Sequence, residues 1–103
     1  MTTSLNKRII AELVSFRKAL IIQESSDSTK RAVELTENEI KALDNPKLND
    51  RNISISAEQY MQRINFLIGF QGLNLEEAAK CHWNAFKLLV PQRRSYINEM
   101  SFH

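Results

Sequence analysis

Leu5, Ile9, Ile10, Leu13, Val14, Phe16, Leu20 and Ile21 fall on one half of a helical wheel, with Lys7, Arg8, Ala11, Ser15 and Lys18 on the other. The pattern predicts a helix from about Leu5 to Gln23. Steps of four, four, three and four lead from Leu5 through Ile9, Leu13 and Phe16 to Leu20, which resembles a short coiled-coil seam. So wide an apolar arc calls for two partners. Arg17 lies inside the arc, and Glu24 follows two turns later on the same side. Either their stems cover apolar neighbours while the charges reach water, or the two form an ion pair that fixes register in a helix–helix or subunit contact.

Beyond this helix the pattern fades. Residues 24–31, ESSDSTKR, are short hydroxyl and charged side chains that compete for backbone hydrogen bonds, so a flexible polar joint is expected. Thr36 with Glu39 has capping-box spacing and predicts a short helix to Asp44, closed by Asn45-Pro46. A loop follows. Ser56 with Gln59 repeats the box, and Ile55 can staple onto Tyr60, which predicts a helix carrying Tyr60, Met61, Ile64, Leu67 and Ile68 inward and ending near Gly69 in a left-handed cap. Asn74 with Glu77 begins another helix over 75–89. Pro91 stops it and opens a last helix to about Met100, with Tyr96, Ile97 and Met100 inward and Arg93 and Arg94 outward.

Composition narrows the class. Two glycines and two prolines among 103 residues are too few for strands joined by tight turns. Apolar residues make up 43% and charged residues 25%, as in a folded globular chain. The expected fold is all-α, a small helical bundle of about five helices in which a long N-terminal amphipathic helix joins a C-terminal three-helix region. One all-α domain over 1–103 is read as an N-terminal interaction helix at about 5–23, a polar joint at 24–35 and a helical body at 36–102. So short a chain is not expected to hold a deep substrate cleft. No apolar run reaches the ~18 residues of a membrane span. A single cysteine and the lack of a cleavable apolar leader lead to the expectation of a reducing, cytoplasmic setting.

The one stretch that invites chemistry is Cys81-His82-Trp83. Neighbouring helical residues do not converge on a point, and a helical metal site needs ligands three or four apart. The only other histidine is His103. Cys81 and His82 point apart, so a nucleophile pair fails on the same ground. On the wheel, Leu75, Ala78, Ala79, His82, Phe86 and Leu89 form one stripe with Trp83 at its edge. Cys81 is then a small semi-buried filler and His82 a core or interface residue, held neutral by its apolar setting. No catalytic residue, metal ligand or cofactor site is assigned, and no small-molecule substrate is expected.

Two binding classes remain. The helices of residues 57–102 resemble a helix-turn-helix domain in general shape, and LEEAAKCHW is similar to the first helix of such a motif, although Trp83 stands where a turn glycine belongs. On that resemblance Lys80, Asn84, Lys87, Arg93 and Arg94 are the candidate nucleic-acid contacts. A net charge of only +2 argues against it. The favoured expectation is a non-enzymatic regulatory or interaction protein of the adaptor, inhibitor, antitoxin or immunity type, working as a homodimer or on a protein partner. Its surface would be the first helix, through Ile9, Leu13, Phe16, Arg17 and Leu20, because that arc exceeds what a lone tethered helix can hide.

Overall fold

The computed structural model describes residues 4–23 and 25–90. Within them the chain is all-α, with four helices and no strand: α1 (Leu5–Ile22), α2 (Asp27–Leu43), α3 (Asp50–Phe70) and α4 (Glu77–Leu89). The helix expected after Pro91, with Arg93, Arg94, Tyr96, Ile97 and Met100, lies outside the described residues, as do Glu24 and Phe102.

Among the described residues the count is four rather than about five, the fifth expected helix being the one after Pro91, and the joint is itself helical. Ser26 accepts a hydrogen bond from the Thr29 amide at 3.1 Å and caps a helix running unbroken through the place where a start at Thr36 was expected. Short hydroxyl side chains weaken a helix interior but favour its first position, and the cap effect dominates in this stretch. Thr29, Ala32, Leu35, Thr36, Glu39 and Leu43 then bury one continuous stripe. α3 too starts earlier than Ser56. Asn49, accepting from the Asn52 amide at 2.8 Å, is the cap, and Ser56 lies inside the helix.

That helix ends beyond Gly69. The Leu73 amide donates back to the Leu67 carbonyl at 3.0 Å, and Gly72, with φ at +73°, supplies the left-handed residue that turns the chain back after the helix. In α4 the cap position is Glu76 rather than Asn74. Its amide is taken by the buried Gln23 side chain, whose Oε1 accepts from Glu76 N at 3.1 Å while Nε2 donates to the Asn74 carbonyl at 2.8 Å. One glutamine thus ties the end of α1 to the start of α4.

α1 with α2, and α2 with α3, pack antiparallel. Asn6 of α1 donates to the carbonyl of Leu43 at the far end of α2, while Ser28 at the start of α2 donates to the Gln71 carbonyl just past α3. Helix α1 sits between α4 and α2, and α3 lies on the other side of α2. The core runs through this sandwich. Ile9, Leu13, Phe16 and Leu20 from α1 are fully buried with Ile64 and Phe86, while Trp83 and Tyr60 retain only a trace of exposure. Trp83 is the hub of the rings, 5.3 Å from both Phe16 and Phe86 and 5.9 Å from Tyr60. Through Tyr60, α3 reaches α4. The Tyr60 hydroxyl is in turn satisfied by Thr36 at 2.7 Å, and burial holds that phenol well above its usual range.

Candidate functional site

The antiparallel packing of α2 on α3 leaves a crevice along their outer side. On α2, Leu35, Asn38, Glu39 and Ala42 share one helical stripe; on α3, Ser56, Gln59, Tyr60 and Arg63 do the same, and together these eight residues line a cavity of about 260 Å³. Glu39 is its chemical feature. Its residue is 8% exposed, and the Ser56 hydroxyl donates to the carboxylate, 2.9 Å from Oε2 and 3.1 Å from Oε1. Burial pushes the Glu39 carboxyl up to about 7, against the opposing pull of the Ser56 hydrogen bond and the Arg63 charge.

Leu35 and Arg63 also line a larger cleft that continues toward the Gln71 end of α3. It holds about 550 Å³ among Asp27, Ser28, Arg31, Leu35, Gln62, Arg63, Phe66, Leu67 and Gln71. A depression of this size was not expected of so small a chain. It exists because α3 is covered mainly by α2 alone, so the walls of the groove have no third helix above them. Among its walls Phe66 is 53% exposed, and the ring of Phe70, 77% exposed, lies 5.1 Å from that of Phe66. Arg31 is held by Glu34 at 2.7 Å, whereas Arg63 pairs with no carboxylate among the described residues.

The residues singled out in the sequence fall elsewhere. Ile9, Leu13, Phe16 and Leu20 are at 0% exposure inside the chain's own core, covered by α2 and α4, and offer no surface. The arc did want two partners, and both belong to the same chain. Arg17 does form an ion pair, but with Glu37 of α2 at 2.8 Å, so it fixes the register of α1 on α2. What α1 leaves in the open is Ile21 and Ile22 at its end. Lys80, Asn84 and Lys87 are brought together on the exposed face of α4, while Arg93 and Arg94 lie outside the described residues.

The stripe of α4 is rotated from the expected one. Ala79, Trp83, Phe86 and Val90 are buried, and Cys81 is exposed rather than a filler. His82 is not in an apolar setting either: its Nδ1 lies 2.7 Å from Glu12 Oε2, half-exposed on the α1–α4 seam. Trp83 carries the largest apolar area, so centring it moves its neighbours outward. Sequence reasoning missed the crevice altogether. Its signal was Glu39, which falls on the apolar stripe of α2 once that helix is extended back to Asp27.

Among the described residues no group of three His, Cys, Asp or Glu side chains could hold a metal ion, and no helix is long and apolar enough to cross a membrane. The chain is thus an all-α bundle whose distinguishing features are a crevice and two exposed rings. No protein-family model, curated protein or solved structure matches it.

Proposed function

We propose that this chain is a protein-binding module without catalytic machinery, and that it engages its partner through the α3 end of the crevice rather than through α1. One observation carries the reading. Phe66 and Phe70 stand in solvent side by side, next to an apolar-walled cleft, while Phe16, Tyr60, Trp83 and Phe86 are all buried. Burying one such ring contributes about 1.5–3 kcal/mol, and paired aromatics at the centre of an interface commonly dominate its energy. Arg63 lines the cleft without a carboxylate partner among the described residues, whereas Arg31 is held by Glu34, so the complementary partner presents an apolar anchor with a carboxylate beside it. The nucleic-acid alternative has less support, because the exposed Lys80, Asn84 and Lys87 face follows a helix start occupied by Glu76 and Glu77.

The test is selection of a displayed random peptide library on the full chain. Enriched peptides should pair aromatic or aliphatic anchors with acidic residues, and the Phe66→Ser, Phe70→Ser double variant should bind them at least ~10-fold more weakly. Equal binding by wild type and double variant would remove the proposed surface.

A further inference from the structure

The inner end of the crevice has a chemistry that the exposed rings do not explain. Carboxylate and guanidinium lie on opposite walls of one small cavity, Glu39 from α2 and Arg63 from α3, with Asn38 and Gln59 beside them. They do not neutralise each other by direct contact, since Arg63 makes no ion pair among the described residues. An ionised carboxylate accepts at about four lone-pair sites, and the Ser56 hydroxyl supplies a single hydrogen to Glu39. Glu39, one of the residues lining the cavity, therefore keeps acceptor capacity beyond the Ser56 hydrogen bond. The adjoining cleft, reached past Leu35 and Arg63, is walled by Leu35, Leu67 and Phe66.

We infer that the inner crevice binds a small zwitterion with an apolar body, the class to which aromatic and large aliphatic α-amino acids belong. Its ammonium sits on Glu39, its carboxylate on Arg63 and its apolar side chain along Leu35, Leu67 and Phe66 toward the larger cleft. Each part meets a matched group: a buried acceptor at one pole, a forked donor at the other, and aliphatic and aromatic carbon between. A ligand with a single charge satisfies one wall and leaves the other unpaired. This inference goes beyond the protein-binding reading and shares Phe66 and Arg63 with it, but Glu39 lines only the inner cavity and Phe70 belongs only to the partner surface, so Glu39→Gln tests the one and Phe70→Ser the other.

Titration of the isotope-labelled full chain with L-phenylalanine, phenethylamine and 3-phenylpropionate, followed by amide chemical shifts, decides the matter. L-Phenylalanine should shift amides around 35–39 and 56–67, and each single-charge analogue should bind about 10-fold more weakly or worse. Glu39→Gln should weaken L-phenylalanine by a similar factor and leave 3-phenylpropionate unchanged. Arg63→Gln should do the reverse, weakening L-phenylalanine and sparing phenethylamine. Glu39→Gln keeps the shape of the side chain and Arg63 is exposed, and a wild-type-like amide spectrum of each free variant verifies the fold. No shifts at millimolar L-phenylalanine, shifts confined to other residues, or equal binding of 3-phenylpropionate would each overturn the inference.

Discussion

Glu39 and Ser56 show how a residue can be accounted for twice over. Each sits where a helix start would use it, Glu39 three places after Thr36 and Ser56 three places before Gln59, and a capping explanation leaves nothing further to ask of either. In the folded chain neither caps anything, and the two meet each other across the α2–α3 contact. The burial of Glu39 has a consequence for stability. The Glu39 carboxyl titrates near 7 when folded, against an ordinary value of 4.5, so the native state holds the proton more tightly than the unfolded chain. Stability from this group is therefore full below about pH 4.5 and is lost as pH rises through about 7, by an amount on the order of 3 kcal/mol at most. Urea denaturation at pH 5 and pH 8 checks this: Glu39→Gln should show a smaller loss between the two than wild type. A wild-type loss unchanged by the substitution would place the titrating group elsewhere. The Ser56 hydrogen bond and the Arg63 charge both favour the ionised Glu39 carboxylate and partly offset its burial.

Helix existence was easier to read than helix extent. α1 and α4 follow apolar periodicity and stop at the chemistry expected of them, a polar stretch and the extended Val90 that precedes Pro91. α2 and α3 each begin earlier than the most conspicuous capping pattern, because a serine or asparagine upstream forms the real cap and the intervening turn contributes buried small residues such as Ala32 and Ser54. Ser26 carries the start of α2. Ser26→Ala should cost about 1 kcal/mol and speed amide exchange over residues 27–31, while leaving the second half of the helix protected. Uniform, unprotected exchange across 27–35 in the wild type would instead restore the flexible joint. Gln23 could not have been assigned from sequence, because its two partners lie beyond α2 and α3 in the chain and only the closed bundle brings them within reach.

At the scale of the whole molecule, the fold class was legible and the surface was not. Counting the apolar residues of α1 gave the correct demand for two partners, but a sequence does not say whether those partners are internal. α2 and α4 answer that demand, so Ile9, Leu13, Phe16 and Leu20 hold the bundle together, and a dimer through that face would first have to open the core. The proposed interaction is therefore placed on α3, which only α2 covers extensively, and on the rings and crevice that this incomplete cover leaves open.

Equilibrium urea unfolding of wild type and Leu13→Ala, followed by Trp83 fluorescence at two protein concentrations tenfold or more apart, puts the internal placement of α1 to the most direct test. The expected result is a midpoint for wild type that does not move with concentration, and a loss of about 2–5 kcal/mol in the variant, also independent of concentration. A wild-type midpoint that climbs with concentration, together with its disappearance in Leu13→Ala, would contradict the account by placing Leu13 between chains.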